Sequence, residues 1–198
     1  MTFRTVILTG LALLTFGSGA FAAPLYATTV EEYAPVGYVA PSRSITGNAL
    51  GAPDDYENSS DIRFLSLGGG ADADGYGGYV VLSFGQTFTG SATIYETTYD
   101  RPNNHREYAY VYGSADNQTW DILGEIYNQD NGGASTVTFA GIYSYLKILD
   151  ITDLRGGTAG DGYDVDAVAV TPTPIPGAAW LLGSGLIGLV GLRRRFSS

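Results

Sequence analysis

The sequence predicts an all-β domain, a β-sandwich or jelly roll, and three observations carry that prediction. Turn-forming residues recur roughly every 8–15 residues, with runs rich in Val, Ile, Tyr, Phe and Thr between them. No stretch holds a 3.6-residue apolar period with helix caps. The chain also spends 28 of its 198 residues on glycine, which disfavours long helices. Several short strands joined by regular turns are the signature of a sandwich or jelly roll.

The elements follow in order. Strands are expected near Ile62–Leu67, Gly78–Phe84, Ala92–Glu96, Glu107–Ser114, Thr119–Tyr127, Ser135–Phe139, Tyr143–Asp150 and Val165–Val170. A first strand or extension is expected within 23–47, and the sandwich itself over 48–171. The clearest turn is Ser114-Ala115-Asp116-Asn117-Gln118-Thr119. Its Asp and Asn side chains can bond their own backbone and tolerate left-handed dihedrals. Trp120 is expected to follow it as a core anchor. Gly68 to Gly78 contains Asp72-Ala73-Asp74-Gly75, part of a calcium-loop pattern, but the remaining ligand positions are missing and a hairpin loop is the better reading.

Charge and cysteine narrow the function classes. All 20 acidic residues lie between Glu31 and Asp166, where only six basic residues accompany them, so the body carries a net charge of −14. Such a surface repels nucleic acid, which is not expected as a partner. The chain has no cysteine, so thiol catalysis and Cys-based zinc sites are excluded. His105 is its single histidine.

The two ends look like addresses. Met1 to Ala22 reads as a signal peptide: Arg4 is its positive start, Val6 to Phe16 its short apolar run, and Ala20-Phe21-Ala22 the small-residue cleavage site. At the other end, Pro172, Pro174 and Pro176 form a stiff extended lead-in. Gly177 to Leu192 is uncharged and mostly apolar, about 24 Å long as a helix, a marginal membrane span. Arg193, Arg194 and Arg195 follow and should stay cytoplasmic, which places the body outside.

Pro174-Ile175-Pro176, then Trp180-Leu181-Leu182-Gly183-Ser184-Gly185-Leu186, then the Arg triplet, resembles the PEP-CTERM sorting signal of Gram-negative bacteria. Ile175 stands where that family has glutamate, which puts the cut site in question. The resemblance covers residues 172–198 and implies processing by an exosortase, transient anchoring in the inner membrane through the C-terminal helix, and association with exopolysaccharide at the cell surface or in the biofilm matrix. An ordinary C-terminal membrane anchor is the alternative, with the same topology.

The body carries a second resemblance. Ser114-Ala115-Asp116 to Trp120 resembles the Ser-x-Asp-x-x-x-Trp hairpin of discoidin-like, galactose-binding-like domains. Ala49-Leu50-Gly51-Ala52-Pro53-Asp54-Asp55 is similar to their early loop, and Gly160-Asp161-Gly162-Tyr163-Asp164-Val165-Asp166-Ala167-Val168 to the closing strand common in PEP-CTERM surface proteins. The resemblance implies a galactose-binding-like jelly roll and one structural calcium where the early loop meets the last strand.

Four chemical possibilities arise. Asp54 and Asp55 follow the backbone bends at Gly51 and Pro53, while Asp164 and Asp166 are two apart and share a strand face, so these four could converge on the implied calcium. Solvated, turn-forming aspartates are the equal competitor. Tyr108, Tyr110 and Tyr112 alternate along one strand, with Ala109 and Val111 facing the other way. Flat rings can stack on sugars, and Tyr110 is the named candidate, although a core edge or a solvated sheet face would use the same pattern. Asp100 to Glu107 is a polar loop in which Arg101, Asn104 and His105 are candidate sugar contacts on a ligand rim. The fourth possibility is catalysis. No nucleophile elbow is present and no carboxylate pair stands out. The expectation is a non-catalytic, exopolysaccharide-associated carbohydrate-binding module. A matrix protein without a glycan site is the alternative, and a polysaccharide hydrolase the remote one.

Overall fold

The computed structural model describes residues 23–54, 63–97, 105–128, 133–157 and 162–174. The signal peptide, Asp55, Arg101, Asn104 and the sorting segment from Ile175 through Pro176 to Arg193, Arg194 and Arg195 lie outside the described residues. No helix among the described residues is long and apolar enough to cross a membrane.

The described chain is antiparallel β with two short 3-10 turns. Its strands are β1 (Leu25–Tyr26), β2 (Thr29–Ala34), β3 (Leu65–Ser66), β4 (Tyr79–Glu96), β5 (Tyr108–Ser114), β6 (Asp121–Tyr127), β7 (Gly133–Asp150) and β8 (Asp164–Pro172). The order is β1-β8-β4-β7-β5-β6, with β2 added to β4 and β3 to β8.

Four of the expected strands are two. Gly78–Phe84 and Ala92–Glu96 are halves of β4, and Ser135–Phe139 and Tyr143–Asp150 are halves of β7. The turn residues between them do bend the chain, but hydrogen bonding resumes beyond the bend. Register slips on both sides of Phe88, and Gly85 (φ 73°) and Gly90 (φ 86°) supply backbone that L side chains rarely adopt.

This bend makes the sandwich. β4 and β7 pair along their whole length, from Tyr79↔Leu149 to Glu96↔Gly133. Laid out straight, a ladder of that many residues would hold its ends about 55 Å apart. Yet the Asp150 carboxylate accepts a hydrogen bond from the Tyr163 backbone N–H (3.4 Å), and two residues further on Val165 pairs with Glu96. Both ends of the ladder therefore meet at the start of β8, and the ladder must double back on itself. The first half of β4 and second half of β7 form one layer with β2, β5 and β6; the other halves form the second layer with β8.

The core lies between the layers. Leu82, Phe84, Phe88, Ile94, Val111, Leu146, Ile148 and Val168 are buried in it. Phe88 sits at the fold of the ladder, edge-on to Phe84 (5.0 Å between centroids) and to Phe139 (6.1 Å), with Tyr143 at 6.3 Å. Gly113 is required where β5 crosses this cluster, because a Cβ there would stand 2.8 Å from the Tyr143 ring.

Three further expectations meet the structure here. The Ser114–Thr119 turn forms as expected: Asn117 is left-handed (φ 60°), and Asp116 Oδ1 accepts the backbone N–H groups of Thr119 (2.8 Å) and Gln118 (2.9 Å). Those bonds hold the Asp116 carboxyl down at about 2. Trp120 is a correction. It precedes β6 and is half-buried outside the core, because β6 begins at Asp121 and the indole turns to the outer face. The loop at Asp72 is a tight turn, with Asp72 Oδ1 accepting the N–H groups of Asp74 (2.9 Å) and Tyr76 (3.0 Å).

Phe88→Ala is expected to cost about 3–5 kcal/mol, as deletion of a fully buried aromatic does. Urea denaturation measures it; a loss below about 1 kcal/mol would show that the fold of the ladder does not depend on this ring.

Candidate functional site

The outer face of the β2–β4–β7–β5–β6 layer is built by strand parity. On β5, Ala109, Val111 and Gly113 point to the core, so Tyr108, Tyr110 and Tyr112 stand on the opposite face. Pairing continues this face across the layer. Tyr112 lies opposite Lys147, and Tyr110 opposite Leu149, which in turn lies opposite Tyr79.

Lys147, the only lysine in the chain, is at the middle. Its ammonium lies 4.6 Å from the Trp120 ring centroid, 4.9 Å from Tyr112 and 5.8 Å from Tyr79. These are distances at which ring quadrupoles attract a cation. Among the described residues the ammonium makes no hydrogen bond or ion pair. Glu32 acts on the ammonium as an opposite charge, while its Oε1 accepts the Tyr79 hydroxyl at 2.5 Å. Burial lowers the Lys147 pKa, and Glu32 partly opposes the shift.

The face extends beyond the lysine. Tyr110 packs edge-on to Tyr112 at 6.2 Å, and its hydroxyl accepts a hydrogen bond from Arg155 (2.9 Å), which also pairs with Glu125. Farther along, Tyr108 meets Tyr127 at 6.2 Å and Arg106 lies over the Tyr127 ring at 5.2 Å. Burial first, then Tyr76 and Tyr110, raise the Tyr112 hydroxyl pKa, so it stays protonated and able to donate near neutral pH. The chemistry on offer is flat apolar ring surface, phenol donors and a cation with free N–H groups.

A second polar cluster closes one end of the sandwich. Glu96, Glu107, Asp150, Asp164 and Asp166 are all buried. Glu96 ends β4, Asp150 ends β7, Asp164 opens β8 and Glu107 precedes β5. The fully buried Tyr163 ring feels the charges of Glu96, Glu107, Asp150 and Asp164, and burial chiefly drives its pKa well above 10.0. Among the described residues, the Tyr163 hydroxyl and Asp164 Oδ1 have no hydrogen-bond partner. Burial, then Glu107 and Glu96, push the Asp164 carboxyl well above the usual carboxylate range against the pull of Arg43. Burial also raises Asp150, although the Thr152 and Tyr163 backbone N–H groups hold its carboxylate.

The candidate residues read from the sequence divide between these places. Tyr110 is on the outer face. His105 precedes β5: its Nε2 pairs with the buried Glu107 at 2.8 Å, and its side chain is 12% exposed. Asp164 and Asp166 are both buried at the acidic end, but Val165 between them is buried too, and a register shift opposite residues 165–167 interrupts the simple alternation. Asp54 is on the surface, paired with Arg63 at 3.0 Å. No group of three or more His, Asp or Glu side chains among the described residues is spaced to hold a metal. The orphaned Asp164 oxygen is a feature that a cation would satisfy.

Sequence reading missed Tyr79, Trp120, Lys147 and Arg155. The available signal was the alternation Tyr145-Leu146-Lys147-Ile148-Leu149, which sets a lone lysine opposite two core residues. Nothing in it shows that residues 79, 112 and 120 gather around that lysine.

No protein-family model matches the chain, and no curated protein matches it. Solved structures do. The C-terminal domain of a chitobiase from Bacteroides fragilis superposes with a TM-score of 0.52 at 14% identity, over 77% of this chain and 99% of that one. The CBM32 module of AlyQ, in complex with 4,5-unsaturated mannuronic acid, gives 0.48 at 11% identity over 75% and 98%. CBM32-3 from a family 31 glycoside hydrolase of Clostridium perfringens gives 0.49 at 14% over 74% and 90%. At these identities the likeness is one of fold, an antiparallel β-sandwich.

The buried carboxyls make stability depend on pH. A carboxyl raised in the folded state stabilises fully below its unfolded pKa, and that contribution is lost as pH rises toward the folded value. With chelator present throughout, melting at pH 5 is therefore expected above melting at pH 8. Asp164→Asn should flatten the difference by melting higher than the parent at pH 8; an unchanged pH dependence would remove Asp164 as its source.

Proposed function

We propose that this chain is an exported, non-catalytic carbohydrate-binding module that associates with extracellular polysaccharide through the outer tyrosine face. The observation that carries the proposal is the gathering of Tyr79, Tyr110, Tyr112 and Trp120 on one solvent-facing side of the sheet. A monomer gains little by exposing that much ring surface, whereas sugar C–H faces stack on it and phenols bond sugar hydroxyls. Ile122 at 60% and Tyr127 at 46% exposure lengthen the same surface along β6.

In this reading His105 is structural: its Nε2 pairs with the buried Glu107, and 12% of its side chain is exposed. Export through the signal peptide, anchoring by the C-terminal hydrophobic helix and exosortase processing near Pro174-Ile175-Pro176 belong to the same proposal, supported by the tripartite pattern at residues 172–198. So does a structural calcium drawn to Asp164 and Asp166, supported by the orphaned Asp164 oxygen.

Polysaccharide depletion tests the binding. The purified chain should be lost from solution on mixing with extracellular polysaccharide, and Trp120→Ala or Tyr112→Ala should weaken retention about tenfold, equivalent to ~1.4 kcal/mol. Equal retention by both variants would move the site off this face. For calcium, a chelator should lower the melting temperature by several degrees, because a ligand bound only to the native state stabilises it. An unchanged melt would remove the ion from the account.

A further inference from the structure

We infer that the tyrosine face selects glycans bearing an anionic group, carboxylate or sulfate, and that Lys147 is the residue that selects them. The inference rests on the proposed glycan binding and adds the substrate class.

Three observations lead to it. First, basic charge is scarce and local. The body holds six basic residues against 20 acidic ones, yet Lys147, Arg155 and Arg106 all lie against tyrosine rings of this one layer. Second, the three differ in how they are used. Arg155 is committed to Glu125 and to the Tyr110 hydroxyl, and Arg106 donates to the Asn128 carbonyl at 2.8 Å. Lys147 instead keeps its ammonium donors: no carboxylate, carbonyl or hydroxyl takes them among the described residues. Third, the surroundings suit a charged sugar. Trp120, Tyr112 and Tyr79 hold the ammonium within 6 Å of their centroids, so a pyranose stacked on any of these rings would bring a ring substituent within reach of the ammonium.

Physical chemistry favours an anion there over a neutral hydroxyl. A half-buried ammonium without a hydrogen-bond acceptor has lost water that the rings only partly replace. A carboxylate or sulfate oxygen returns a charge-assisted bond, roughly twice as strong as a neutral one. The acidic remainder of the body opposes a polyanion at long range, but beyond about 8 Å physiological salt screens it, while a contact pair at Lys147 is screened far less.

Selectivity is the test, read as the ratio of retention on a charged polymer to that on its neutral counterpart. The full chain would be equilibrated with polygalacturonate, with the same polymer after carboxyl reduction, and with a sulfated galactan, at fixed ionic strength. The expected result is at least tenfold preference for a charged polymer, collapsing toward unity in Lys147→Met and Lys147→Gln and kept in Lys147→Arg. Melting curves confirm that each variant is folded, and the charge-retaining variant separates loss of charge from loss of packing. Preference for the sulfated over the carboxylated polymer would support the assignment with sulfate as the anion. A preference that survives Lys147→Met, or equal retention of charged and reduced polymers, would overturn it and leave glycan binding standing. Retention of no polymer at all would overturn the proposed function and this inference with it.

Discussion

The folding back of the β4–β7 ladder is the constraint on which the rest of this molecule depends. Two 18-residue strands pair along their length, and the slip around Phe88, with left-handed glycines on either side, lets the pair double over. Apolar burial drives the closure, since Phe84, Phe88, Phe139 and Tyr143 lose their water only when the halves face each other. Closure also sets parity. Once Leu146 and Ile148 face the core, Lys147 must face out, and β5 in register with β7 must turn its tyrosines the same way.

That parity sorts polar groups into two unlike environments. On the outer face, tyrosines, a tryptophan and a lone lysine gather where water still reaches them. At the end of the sandwich, strand ends bring carboxyls together out of water, where ionising all of them is costly. The first arrangement is open to a ligand. The second is interior, and its raised Asp164 and Asp150 carboxyls couple the closure of the fold to proton concentration.

The likeness to the Bacteroides fragilis chitobiase domain agrees with this architecture. A shared sandwich hosts many functions, so the weight of the functional proposal falls on the rings and cations of this chain's own outer face.

The sequence by itself determined the all-β class, the Asp116–Asn117 turn and the alternation of Tyr108, Tyr110 and Tyr112, because each is written in neighbouring residues. β2 was harder to see: Thr-Val-Glu-Glu-Tyr-Ala does not alternate, and the structure accommodates it with a bulge between Val30 and Glu32 at the sheet's margin. Only the tertiary structure decided that four apparent strands are two, that Trp120 leaves the core for the outer face, that His105 turns to Glu107, and that Asp54 pairs with Arg63. The physical reason is separation along the chain. Tyr79, Trp120 and Lys147 become neighbours only when the folded ladder sets the register of three strands at once, and no local pattern encodes a register shared among segments that far apart.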